Sequence, residues 1–336
     1  MPTQAQIKLA QLRSNVYEAN VEKGAAVNSA AGGRTEFKND FPKGPAIYET
    51  WLRIKIDLTV GTAATPITDG ILNYIKQIHM KGDNGEVFVD NISARALIMG
   101  PGIVKGGSVP AFDQIAAATA SYRVDIPIYH WDPIMKRGED LFIDTRRYNE
   151  IKLAVTLGSL SDLFTSPGTA SVVITADVDV VRSKDDLPAD VKAIGYTAYL
   201  SQNVIDPTTV AYLNLNRASD VYYKRLFMQT ASAAGFWTGP NSDVVLLNTR
   251  VTSSDDNFHF NTDWLQKKNR DKQFFGLEAA MTGRNVIDFV RDKSNKSALY
   301  SDRNNLRLEW DTVAGLAAGS YVSCLAETYR KFKEAA

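Results

Sequence analysis

The chain has 336 residues, 38 of them basic, 38 acidic and one a cysteine, and 44% of them hydrophobic. That length favours two domains of about 150 residues over a single core. The balanced charge leaves no basic footprint for wrapping nucleic acid, the lone Cys324 excludes an intrachain disulfide or a multi-cysteine metal site, and no apolar run reaches the roughly 18 residues of a membrane-spanning helix.

In chain order, residues 1–45 read as an N-terminal arm. Gln4 to Tyr17 carries Ile7, Leu9, Leu12 and Val16 at a weak helical spacing, and Gly24 to Gly44 has the small and polar residues of a loop. The start lacks the charged-then-apolar pattern of a signal peptide, which predicts folding in a cytosol. Strand patterning then begins abruptly. Tyr48, Thr50, Leu52, Ile54, Ile56, Leu58 and Val60 alternate with Glu49, Trp51, Arg53, Lys55, Asp57 and Thr59, the period of a half-buried strand. Further strands are predicted at Ile71 to Lys81, Glu86 to Met99, Tyr122 to Tyr129, Ile151 to Leu157 and Val172 to Arg182. Pro127, which cannot donate to a central ladder, places its strand at an edge or bulge. The polar, proline-bearing stretch Asp185 to Asp190 marks a domain boundary, giving domains 46–187 and 188–336. Beyond it strands are predicted at Val210 to Leu215, Tyr222 to Thr230, Val244 to Val251, Asn257 to Trp264, Leu306 to Trp310 and Tyr321 to Thr328. Helical patterning is confined to Gly276 to Arg291, an Ala-rich turn near Ala116 and a C-terminal segment from Leu325.

The two halves repeat one another at a separation of roughly 150–165 residues. The hairpin Gln77 to Val89, centred on Asp83-Asn84-Gly85, matches Asn248 to Phe260, centred on Asp255-Asp256-Asn257. Phe112, Ile115, Ala116 and Ala117 recur as Phe275, Leu277, Ala279 and Ala280. Leu141-Phe142, Asp144, Arg147 and Asn149 lead into Ile151-Lys152-Leu153 as Leu299-Tyr300, Asp302, Arg303 and Asn304 lead into Leu306-Arg307-Leu308. Gly168 and Val172-x-Ile174-x-Ala176-Asp177 echo Gly319 and Val322-x-Cys324-x-Ala326-Glu327. The collinearity of the four argues for a duplicated domain. Many strands, turn signals between them and few crossover helices predict an all-β chain of two tandem jelly-roll sandwiches with a few short helices.

Catalytic chemistry finds little support. His79, His130 and His259 each sit in strand-like sequence between apolar neighbours, where a structural histidine is expected. Gly100-Pro101-Gly102 to Gly106-Gly107 lacks the Lys-Ser/Thr of a phosphate-binding loop and reads as a surface loop. Asp177 and Asp179 share one strand face, where a solvated pair is expected over a glycosidase pair. Asp255-Asp256-Asn257 lacks the spaced ligands of a calcium loop and reads, like Asp83-Asn84-Gly85, as turn chemistry. Asn91-Ile-Ser and Asn295-Lys-Ser would be glycosylation acceptors only in a secretory pathway. Trp131, Trp237, Trp264, Trp310 and Tyr222-Tyr223 suit core and interface packing, with a sugar-binding face as the competing use. No catalytic, cofactor-binding or metal-binding residue is assigned, and the chain is not expected to be an enzyme.

With its opening strand Ile47 to Val60, its hairpin Tyr74 to Phe88 and the Asn149-x-Ile-Lys-Leu and Asn304-x-Leu-Arg-Leu echo, the chain resembles the double jelly-roll major capsid proteins of membrane-containing icosahedral viruses, the corticovirus and tectivirus bacteriophage type above all. The resemblance covers most of residues 46–330. It implies a structural virion protein assembled in a host cytoplasm. Homotrimers with a nearly hexagonal footprint would tile an icosahedral shell over an inner membrane. The implied partners are neighbouring trimers, vertex and minor capsid proteins and, through Lys8 and Arg13 of the arm, the inner membrane, with no direct nucleic-acid contact. The competing class is a tandem β-sandwich carbohydrate-binding or glycan-cleaving spike or tail protein.

Overall fold

The computed structural model describes residues 16–29, 32–37, 41–60, 64–106, 112–134, 141–166, 168, 170–215, 220–232, 241–254, 259–277 and 279–332. Two compact units divide the chain, Met1–Ala198 and Tyr199–Ala336. The stretch Asp185 to Asp190, read from the sequence as the boundary, lies in the first unit. Arg146 holds that segment, donating through Nη1 to the Leu187 and Pro188 carbonyls at 3.1 and 2.9 Å and through Nη2 to that of Val191 at 2.6 Å.

In the first unit the strands are β1 (Val16–Val27), β2 (Arg34–Glu36), β3 (Ala46–Thr59), β4 (Thr65–Pro66), β5 (Ile75–Gly82), β6 (Val87–Ile92), β7 (Ala120–Tyr129), β8 (Ile143–Asp144), β9 (Ile151–Leu157), β10 (Phe164–Ser166) and β11 (Ser171–Ser183). One sheet runs β1-β11-β3-β7 with β8 beside β3; the other runs β2-β9-β5-β6, and β4 pairs with β10. Next, β12 (Gly195–Ile205) crosses the division. The second unit then has β13 (Tyr212–Asn214), β14 (Val221–Ala231), β15 (Leu246–Thr252), β16 (Phe260–Asp263), β17 (Arg284–Asp288), β18 (Leu299–Tyr300), β19 (Arg307–Thr312) and β20 (Tyr321–Lys331). Its sheets run β12-β20-β14-β17, with β18 beside β14, and β13-β19-β15-β16.

The same eight-strand path is thus traced twice, and in each case the last strand lies between the first and the third. This is the jelly roll, an antiparallel double sheet of two Greek keys. Three of the four internal matches, all but the Ala-bearing segment at Phe112 and Phe275, fall at equivalent registers. Leu153 faces Met80 and Lys152 faces Lys81, as Leu308 faces Val251 and Arg307 faces Thr252. Ile174 faces Ile56 as Cys324 faces Met228.

Alternation places the cores. Along β3, Tyr48, Thr50, Leu52, Ile54, Ile56 and Leu58 are buried while the intervening residues stay half-exposed. Leu226, Met228 and Cys324 from one sheet of the second roll pack with Val251, Leu308 and Trp310 from the other, around Trp264. Pro127 lies on β7, at the edge of its sheet.

Residues 16–27 and 34–36 overturn the reading of 1–45 as an arm outside the cores. They are the first two strands of the first roll, β1 on the edge of β11 and β2 on the edge of β9. Both escape a pattern search because an edge strand exposed on its two faces needs no apolar alternation; its neighbour supplies the hydrogen bonds. Predicted helix Gln4 to Tyr17 lies outside the described residues up to 15, and Val16 and Tyr17 are strand. Other expectations also change. Gly70–Tyr74 is a helical turn before β5, and β6 ends at Ile92; the side chain of Ser93 then caps the helix Ala94–Leu97 by accepting from Ala96 N at 3.2 Å. Gly100 to Gly106 continues that helical segment, with Gly100, Pro101 and Gly102 buried, so it is not a surface loop. The long helix is Trp264–Phe274, capped by Asp263; Gly276 to Arg291 holds β17, and Leu325 onward continues β20 as strand.

Candidate assembly surfaces

The outward residues of β3, β11 and β7 form a charged face on the first roll. Arg53 stands opposite Asp177 on one neighbouring strand and Asp125 on the other. Its Nη1 lies 2.9 Å from Asp179 Oδ2, and Nη2 reaches Glu18 of β1. Asn20 Nδ2 donates to the other Asp179 oxygen at 2.7 Å. Asp179 is therefore a buried, doubly held carboxylate rather than a solvated one. Burial raises the Asp125 carboxyl above the usual carboxylate range, a rise that Arg53 and Arg123 oppose. Lys55 Nζ donates to Asp57 Oδ2 at 2.9 Å. Between these side chains lies an open groove of about 340 Å³ lined by Arg53, Lys55, Arg123, Asp125, Thr175 and Asp177.

The matching positions of the second roll carry the same ladder in a different environment. Arg225 stands opposite Glu327 and Asp288, with Nη1 3.2 Å from Glu327 Oε2 and Nε 3.3 Å from Asp288 Oδ1. Lys224 Nζ lies 3.0 Å from Glu327 Oε1. All four are buried, so two cations and two carboxylates balance where an unmatched charge would cost several kcal/mol, on the order of 3–5. Where Lys55, Thr175 and Arg123 occupy the open face, the second roll has buried Phe227, Leu325 and Val286.

The other sheet of the second roll presents a polar outer face. Arg250 lies 3.1 Å from Glu309 and 2.9 Å from Asp311, the Asp311 carboxyl is held low by Arg250 and Asn248, and the Arg307 guanidinium stacks 4.6 Å from the Tyr212 ring.

The residues singled out in the sequence do not converge. His130 is fully buried, its Nε2 2.9 Å from Thr50 Oγ1, and burial pushes its pKa down to about 3. His79, lowered by burial and Arg34, lies 3.8 Å from Asp90, and His259 Nε2 lies 2.9 Å from Ser253 Oγ. The Cys324 thiol is buried and pushed up to about 12. Trp264 and Trp310 are core residues, Tyr223 faces the same core, and Trp131 Nε1 donates to Glu49 Oε1 at 3.0 Å. Tyr222 stacks on Tyr329 at 5.0 Å. Lys8, Arg13, Gly107, Trp237 and Asp255 to Asn257 lie outside the described residues. Among the described residues no group of three His, Cys, Asp or Glu side chains is placed to hold a metal. Nor is any described helix long and apolar enough to cross a membrane. The Arg ladder escaped the sequence reading although half its signal was visible: Asp177 and Glu327 were already matched, and Arg53 and Arg225 are their cross-strand partners.

The architecture is a double jelly roll. No protein-family model matches the sequence, and no curated protein matches it. Solved structures do. The STIV MCP is similar with a TM-score of 0.69 at 12% identity, over 94% of this chain and 97% of that one. The major capsid protein P2 of bacteriophage PM2 gives 0.58 at 13%, over 95% and 98%. The Faustovirus major capsid protein gives 0.58 at 8%, over 95% and 90%. At such identities the likeness is one of fold, and it spans nearly the whole of each chain.

Proposed function

We propose that this chain is a viral major capsid protein, a structural and non-enzymatic subunit that assembles as a homotrimer and tiles an icosahedral shell. The observation that carries the reading is the eight-strand roll repeated in one register along the chain, an architecture shared end to end with capsid proteins. Duplication has a physical use here. Three copies of a two-roll chain offer six similar walls, a nearly hexagonal outline that tiles a closed surface, while two rolls free to diverge can give different edges different contacts.

The location is then the virion, with assembly in the host cytoplasm. The partners are further copies, vertex and minor capsid proteins, and an inner membrane approached by the residues before Val16. There Lys8 and Arg13 would each contribute about 1 kcal/mol of attraction to anionic lipid heads. Light scattering and electron microscopy of the purified full chain test the reading. Trimers with a hexagonal outline are expected; a stable monomer throughout the micromolar range would refute it.

A further inference from the structure

An arginine flanked by two carboxylates on neighbouring strands occurs once in each roll, and only one of the two sets is complete. In the second roll Arg225 of β14 stands between Glu327 of β20 and Asp288 of β17 and pairs with both, at 3.2 and 3.3 Å. In the first roll Arg53 of β3 stands between Asp177 of β11 and Asp125 of β7 and pairs with neither. Its guanidinium turns instead to Asp179, opposite Trp51, and to Glu18 of β1. Lys55, two residues further along β3, leans the other way and bonds Asp57.

Between these two diverging cations lies the open groove of about 340 Å³, and every residue lining it is described. Asp125 and Asp177 stand on its two sides, on strands whose backbones are roughly 10 Å apart, twice the spacing of paired strands. Asp177 Oδ1 accepts from Gly24 N at 2.6 Å, which leaves its second oxygen open. Asp125 is half-buried, and among the described residues none donates a hydrogen bond to its carboxyl or forms an ion pair with it. A carboxylate partly withdrawn from water without a donor is costly, and a cation placed beside it lowers that cost. Arg53 is shared between Asp179 and Glu18, and Lys55 is taken by Asp57. Of the lining cations only Arg123 is left to offset Asp125 and Asp177, so acid exceeds base around the groove.

We propose that a basic side chain of a second copy of this chain enters the groove and lies between Asp125 and Asp177, in the place that Arg225 fills between Asp288 and Glu327. The second roll thus shows which group these two positions accept. Charge balance identifies the donor as another copy. The chain has 38 basic and 38 acidic side chains, so an excess of carboxylates here leaves an excess of cations elsewhere on the same molecule, and every copy brings both surfaces. A guanidinium suits the gap because its rigid fork can bond a carboxylate on either side, and arginine is enriched at protein interfaces. Such a contact joins different surfaces on the two partners and closes into a ring when its rotation permits. The proposal rests on the assembly reading and adds to it the face of the first roll that meets a neighbour.

Carboxyl footprinting of the full chain with a carbodiimide and glycine ethyl ester, read by mass spectrometry at assembled and dissociated concentrations, tests the proposal. Labelling of Asp125 is expected to fall at least about tenfold on assembly, as an interface that excludes water requires. Asp125→Asn and Asp177→Asn remove the charge and keep the shape, and an asparagine at 177 can still accept from Gly24, so the dissociated chain should keep its melting temperature. The dissociation constant of the assembly is expected to rise about tenfold or more in each. Asp57→Asn removes a carboxylate already paired within the chain and is expected to change it by less than about threefold. An equal rise in Asp57→Asn would mark a general effect of surface charge and overturn the proposal. Asp125 labelled equally in both states, or Asp125→Asn assembling like the wild type, would overturn it and leave the capsid reading intact. So would an Asp125 that is shielded in the dissociated chain until dialysis frees it, since a small amine would then be the occupant. A chain that stays monomeric overturns both.

Discussion

Acidification through the histidine range should destabilise the first roll through one residue, His130. Its ring lies in a fully buried site against Thr50 and Phe88, with Lys105 as the nearby charge, and desolvation first, then Lys105, push its pKa from 6.5 to about 3. Nδ1 has no hydrogen-bond partner, so a proton placed there would be a buried charge without an acceptor. The folded pKa is below the unfolded one, so between about pH 6.5 and 3 the unfolded chain binds a proton that the folded chain refuses. The stabilisation is present in full above pH 6.5 and is lost as the pH falls through that window, at about 1.4 kcal/mol per unit. From pH 6.5 to 4.5 that amounts to about 2–3 kcal/mol from this group alone. Carboxylates also titrate on the way down, so the measurement is a difference: urea unfolding of wild type and His130→Gln at pH 7.5, 6.0 and 4.5. Glutamine can still bond Thr50 but cannot titrate. The variant should lose less stability than the wild type over that range. Parallel pH profiles would refute the assignment.

Arg225→Met should cost about 3–5 kcal/mol, because it leaves Asp288 and Glu327 buried with only Lys224 to offset them. At the equivalent but 40% exposed position, Arg53→Met should cost less, about 1–2 kcal/mol, because water reaches the site and Asp179 keeps its bond from Asn20; equal losses in urea unfolding would refute the contrast. Gly283→Ala meets both a φ of +63° and a Cβ position 2.6 Å from Ser242 N and Thr230 O, so thermal unfolding should show a loss of about 2–3 kcal/mol. Gly85→Ala, at φ +85° with open space around it, should lose about 1 kcal/mol, and a reversed order of the two would count against the close approach at Gly283.

The sequence announced what is periodic or repeated and hid what is neither. β3 was legible because one face is buried and the other wet, and the duplication was legible because Ile151 to Leu153 and Leu306 to Leu308 occupy the same place in both rolls. β1 carried no such mark, being exposed on both faces and held by the edge of β11. β12 and β17 were missed for the opposite reason: Gly195 to Tyr199 and Asn285 to Ile287 are buried whichever way they point, and a strand buried on both faces does not alternate. The helix Trp264–Phe274 has an unbroken polar run from Gln266 to Gln273 with no apolar stripe, and only Asp263, accepting from Gln266 N at 2.9 Å, marks where it starts.

The ladder explains why two faces built on one plan could part company. A guanidinium is a rigid fork, and one that bonds carboxylates on its strand or the strands beside it ties the third strand of a roll to its neighbours. A one-residue slip would carry that arginine from the outer face to the core. Arg53 and Arg225 therefore have the same task whether water or protein lies above them, and both keep acidic residues opposite on either side. Lys55 and Phe227, two residues further along the strand, bond no carboxylate across the sheet: Lys55 turns to Asp57 on its own strand, and Phe227 has no polar group to offer. Nothing about register restrains such a position, so its residue type follows what covers it, apolar where the face is closed and charged where it is open. The divergence of the two rolls is then concentrated where neighbours differ, which is what a subunit needs if its two similar halves are to meet different surroundings.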